Sequence, residues 1–219
     1  MAGNGHTSAT ANGSGFSFVN VSEPALANLK WAWPQVLERY TTVQNREDFP
    51  WRYSERPLVG MLSAAVWIAG GITLEEYWNQ KGEPSEGDKT YGRTDLYFAI
   101  AGKHFIGEAK HEYIELNRCT DDWQAACRKN AKESAKRSPC EEGECRVAIC
   151  FWSITMKTGD TNGGAFSERI ETLVDQLAVA SQDSLVTACT FPAWAIEQGR
   201  SWGEERGYPG LVMEIVSVP

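Results

Sequence analysis

Cationic residues are scarce in this chain. It has 21 Lys and Arg against 29 Asp and Glu over 219 residues, a formal net charge of −8. That balance argues against a protein that grips polyphosphate over its whole surface, and leaves room only for a local basic face. Paired zinc thiols are also missing. Six cysteines stand at positions 119, 127, 140, 145, 150 and 189, and no two form a C-x-x-C. Cys119/Cys127 and Cys140/Cys145 have the wrong spacings for a zinc knot, and Cys127 falls inside a helical pattern. Reduced thiols are expected, with a Cys140–Cys145 disulfide as the open alternative. The start, MAGNGHTSATANGSG, has neither a basic segment nor an apolar one, so no secretory leader is expected and a cytoplasmic location is. The charge-free run PLVGMLSAAVWIAGGITL, 57–74, has only the lower length of a membrane span, and Gly70-Gly71 breaks it. A buried helix followed by a strand is the expectation, with no membrane partner.

Tryptophan, by contrast, is plentiful. The nine are spread along the chain, which suggests core and edge packing, with base stacking as the alternative for one or two. Residues 1–15 read as a disordered tail, and 16–219 as a single domain. Residues 23–40 look helical but interrupted at Pro34, and 41–53 read as a loop. Ser54 is positioned to cap a helix running to about Ala69, with Leu58, Leu62, Ala65 and Ala69 on one face. ITLEEYWNQ is strand-like. RTDLYFAIAG and KHFIGEAKHEY form an antiparallel hairpin, and 121–137 forms a helix capped by Thr120 or Asp121. CRVAICFWSI has the continuous apolar character of a central strand. A helix over 165–180 and a strand over GLVMEIVSV follow. The order predicts an α/β domain whose mixed sheet is a meander followed by a crossover.

The hairpin carries the chemistry. Charge inside a buried sheet is costly unless it is paired or binds a metal. Strand alternation puts Glu108 and Lys110 on one face and Ala109 on the other, and pairing brings Asp95 beside Glu108. Two carboxylates on one face suit Mg²⁺ or Mn²⁺, and an adjacent ammonium can hold a water or steady charge on a phosphate. The plain alternative is a half-exposed strand in which charged and apolar residues alternate.

The motifs GRTD (92–95) and GEAK (107–110) resemble those of the PD-(D/E)XK nuclease superfamily, which has the restriction-endonuclease-like fold. The likeness covers residues 54–153, the expected core, and leaves 154–219 as a C-terminal extension. It implies a mixed β-sheet flanked by helices, with an αβββαβ core. It also implies a metal-dependent nuclease acting on DNA ahead of RNA. Asp95, Glu108 and Glu55 would be metal ligands, and Lys110 would be catalytic beside them. The proline that usually precedes the aspartate is Thr94 here. The RecB-like branch would have a tyrosine where this chain has Arg128, four residues after Gln124.

The alternative reading of Glu55 is a first-turn acid that steadies the helix dipole, and Glu75 and Glu76 rival it as the third carboxylate. Arg128, Lys132 and Lys136 make a basic stripe that could contact a phosphate backbone, or could be a solvated face with Glu133 as a local ion-pair partner. His111 should point away from the site, and His104 should lie near the hairpin turn. Nucleic acid is the expected partner, with a homodimer as one expected assembly. The alternative function is an inactive nucleic-acid- or protein-binding module of the same fold.

Overall fold

The computed structural model describes residues 16–81, 90–119, 122–157, 163–178, 183–198 and 206–219. Residues 1–15 and residues 82–89, before the hairpin, lie outside them. In chain order the elements are β1 (Phe16–Val21), α1 (Leu29–Val43), α2 (Glu55–Ile68), β2 (Ile72–Lys81), β3 (Thr90–Ile100), β4 (Lys103–Glu115), α3 (Ala125–Lys136), β5 (Glu144–Lys157), α4 (Gly163–Ala178), β6 (Ser184–Phe191), α5 (Ala193–Gln198) and β7 (Arg206–Val218).

The strands form one seven-stranded sheet in the order β1-β6-β7-β5-β4-β3-β2. β4 and β5 are parallel and the other neighbours antiparallel, so α3 is the crossover between the parallel pair. The expected α/β class and the order helix, three strands, helix, strand are therefore both present. The apolar run of β5 occupies the middle of the sheet, with Ala148 to Trp152 wholly buried.

Helices cover both faces. Leu58, Leu62, Ala65 and Val66 of α2 pack with α1 against Leu96, Phe98, Phe105 and Ala109. On the other face Cys127, Ala131 and Ala135 of α3 and Ile170, Leu173 and Leu177 of α4 pack against β5, β6 and β7. At about 25 cal/mol per Å² of apolar surface, these two layers supply the main folding force. Gly71 makes the bend from α2 into β2, where a Cβ would meet the Ala99 carbonyl oxygen and Val66 Cγ1, both at 2.7 Å. No helix among the described residues is long and apolar enough to cross a membrane.

Several local expectations are corrected. α1 runs through Pro34 to Val43, because a proline in the second turn forgoes only one intrahelical bond. Ser54 stands at the N-cap of α2, but its side chain makes no capping bond. α3 begins at Ala125 with Gln124 at its N-cap, and Asp122 takes a left-handed φ of 67°, outside the helical region; the expected caps Thr120 and Asp121 lie outside the described residues. All six cysteines are free thiols. Trp33, Trp51 and Trp152 are fully buried, while Trp31, Trp67 and Trp78 are exposed.

Candidate functional site

The hairpin turn sets the site. Ala101 and Gly102 both have positive φ, 50° and 77°, the two-residue turn whose twist matches that of the strands. The ladder then runs from Ile100↔Lys103 to Leu96↔Gly107. Asp95 and Glu108 stand at the next rung. There β3 stays with β2, while β4 continues beside β5 as far as Glu115. At this fork the Ala109 N–H donates to Asp95 Oδ2 at 2.8 Å, so a carboxylate closes the end of the ladder. Thr94 just before it is fully buried, and its hydroxyl finds no partner among the described residues.

Glu108 is buried and faces α3. Ser138 Oγ donates to its Oε1 at 2.6 Å, and Ser134 Oγ to its Oε2 at 3.1 Å. Lys110 lies two residues on. Its Nζ donates to the Ala109 carbonyl at 2.6 Å and sits 3.8 Å from Glu55 Oε2. Glu55 occupies the first position of α2. Burial raises its pKa most; Lys110 pulls it down, and Asp95 and Glu108 push it up again. The three predicted carboxylates therefore feel one another, with the predicted lysine among them.

A cleft of about 150 Å³ opens beside them, lined by Glu55, Arg56, Val59, Glu75, Glu76, Arg93 and Asp95. Both rivals for the third carboxylate reach it. Glu76 is held by Arg56 at 2.7 Å and by Arg93 at 2.8 Å, and its φ of 46° is rare for a non-glycine residue within a strand.

The donor set is all carboxylate, which suits a hard divalent cation, and mutual repulsion among those carboxylates is what such an ion relieves. The side chains do not close on one point as they stand. Among the described residues, no three His, Cys, Asp or Glu side chains converge closely enough to ligate one ion. Each serine hydroxyl uses one lone pair of Glu108, and a carboxylate has about four.

The basic stripe of α3 is largely committed elsewhere. Arg128 makes a two-pronged pair with Glu214 of β7, which is fully buried and also accepts from Ser184. Arg128 also donates to Gln124 Oε1 at 2.7 Å. Lys132 lies 3.5 Å from Asp183, and Lys136 is exposed in the last turn. His111 turns to the far face, bonded to Ser153 at 2.8 Å. Ser153 in turn donates to the Trp51 carbonyl, which makes His111 Nε2 the donor to Ser153. His104 sits beside the turn, with its Nδ1 2.8 Å from the Tyr97 hydroxyl.

Sequence reasoning missed Ser134, Ser138, Arg56 and Arg93. The two serines are four apart at the end of the helix after the motif, so they share a face, and that spacing was the available signal. Arg93 is two residues before Asp95 and so on the same strand face.

The fold and site define an α/β protein with a cleft of acidic and basic side chains at a fork in a mixed sheet. No family model, no curated protein and no solved structure matches this chain.

Proposed function

We propose that the protein is a metal-dependent nuclease with a restriction-endonuclease-like fold, acting on DNA ahead of RNA. One observation carries the reading: Asp95 and Glu108 directly follow the last paired rung, Leu96↔Gly107, where β3 and β4 part, with Lys110 two residues on and 3.8 Å from Glu55. The order α2, β2, β3, β4, α3, β5, with β4 and β5 parallel, supports the fold.

In this reading Asp95, Glu108 and Glu55 hold Mg²⁺ or Mn²⁺, which when bound supplies Lewis acidity toward the phosphate and a more acidic water. Lys110 orients the attacking water and steadies negative charge on the phosphate. Ser134 and Ser138 hold the Glu108 carboxylate in place from α3. The fork leaves the β4 edge open to a substrate strand.

The test incubates the protein with plasmid, single-stranded DNA and RNA, in Mg²⁺, Mn²⁺ or EDTA, beside Asp95→Ala and Lys110→Ala. Metal-dependent cutting that falls at least ~10²-fold in both variants is expected, the size of loss when one group stabilising transition-state charge is removed. Calorimetric titration with Mn²⁺ gives a second readout, in which Glu108→Gln should lose the binding heat. Cutting that survives both substitutions overturns the assignment.

A second reading is a binding module that does not cut. It is favoured by the failure of three carboxylates to converge among the described residues, and by Lys110 donating to its own strand. Binding without cutting would select it.

A further inference from the structure

Trp78 is large, apolar and left in solvent at the edge of the site. It is 70% exposed, and the Arg93 guanidinium lies 5.5 Å from its ring centroid. The two residues face each other across β2 and β3, two positions along β3 from Asp95 and on the same strand face. Arg56 reaches the same cleft from α2, and Glu76 clasps both guanidinia. On α3, Arg128 and Lys132 already hold Glu214 and Asp183, whereas Arg56 and Arg93 keep half or more of their side chains in solvent while paired with Glu76.

We infer that this edge binds a single strand of DNA, one base stacking on Trp78 and the flanking phosphates taking Arg93 and Arg56. Taking nucleic acid as the ligand rests on the nuclease reading. The single strand follows from the indole: its free face offers stacking to an unpaired base, whereas a duplex keeps base faces against one another. Planar guanidinia match phosphate oxygens as forks. Glu76 engages Arg56 through Nε and Arg93 through Nη1, so its charge competes with a phosphate for both and acts as a brake on binding. The cleft is lined by four carboxylates, Glu55, Glu75, Glu76 and Asp95, against two cations, Arg56 and Arg93, with Lys110 3.8 Å from Glu55 beside it. A phosphate strand is therefore repelled until a divalent cation joins it.

The experiment measures fluorescence anisotropy of a labelled 20-nucleotide DNA strand and of its duplex, in Ca²⁺ and in EDTA. It compares the protein with Trp78→Ala, Trp78→Phe, Arg93→Ala and Glu76→Gln, each checked for an unchanged melting temperature. In Ca²⁺ the single strand should bind at least ~10-fold tighter than the duplex, and EDTA should abolish binding. Trp78→Ala should lose about 10-fold, in line with the loss of one stacked base, and Trp78→Phe should lose less. Arg93→Ala should also weaken binding, and Glu76→Gln should tighten it several-fold. Equal binding of duplex and strand, or wild-type affinity in both Trp78→Ala and Arg93→Ala, overturns the inference. So does a Trp78→Ala effect confined to self-association of the protein in sedimentation. If Mg²⁺-dependent cutting is present and indifferent to Trp78, the inference falls and the nuclease reading stands. If binding needs Trp78 but nothing is cut, the inference stands and the nuclease reading falls.

Discussion

His111 is the clearest single-residue consequence of the way β4 divides its side chains. Lys110 reaches to within 3.8 Å of Glu55, and His111 lies against Ser153 and Tyr113. Burial holds its pKa down at about 4, against about 6.5 for an exposed imidazole. The sign follows from which state binds the proton. Above pH 6.5 the ring is neutral in both states and contributes nothing. Between pH 6.5 and about 4 the unfolded chain gains a proton that the folded chain refuses, so stability falls as pH drops. The ring is not wholly enclosed, so the loss is discounted to about 2 kcal/mol by pH 4. Urea unfolding at pH 7 and pH 4.5 should show it, and His111→Asn should flatten that part of the profile. A wild-type slope in His111→Asn would mean that other groups carry the acid sensitivity.

At the scale of elements, α3 is the part whose placement matters most and whose partners were hardest to read. Asp95, Glu108 and Lys110 were legible because a hairpin is local. A two-residue turn fixes the register, and strand parity then decides which side chains meet. The serines on Glu108 come from 26 and 30 residues on, and depend on how the crossover lays α3 over the sheet. Glu214, the partner of Arg128, is 86 residues away in β7, and no spacing rule reaches that far. Long-range pairing also hid β1 and β6, since FSFVNV and SLVTACTF mix polar and apolar residues, and β1 becomes a strand against β6, which in turn pairs with β7. The Arg128–Glu214 pair ties α3 to the sheet, and removing one partner strands a buried charge. Arg128→Met should cost about 3–5 kcal/mol in chemical denaturation. Arg128→Met combined with Glu214→Leu should recover much of that, because an apolar pair of similar volume avoids the desolvation cost. A double variant no better than the single one would show that Ser184 and Gln124 need the carboxylate as much as Arg128 does.

Over the whole molecule, electrostatics oppose the proposed ligand. The net charge is −8, so a phosphate strand is repelled at long range, and attraction must come from the cleft itself. That separates this protein from a basic nucleic-acid binder, whose affinity rises steadily as salt is removed. Among the described residues, Arg56, Arg93 and Lys110 are the cations placed beside the cleft to meet phosphates. A single strand gives a salt slope of about −0.7 per phosphate neutralised, so three contacts allow a slope no steeper than roughly −2. With Ca²⁺ present, a plot of log affinity against log salt from 50 to 200 mM should therefore stay shallow. In EDTA, lowering the salt should fail to restore binding, because a longer screening length also lengthens the reach of the acidic surface. A steep slope, near −5 or beyond, would require a much wider cationic footprint. Lys136 and the other exposed cations of α3 would then be the first place to seek it, and the strand would not run along the Trp78 edge alone.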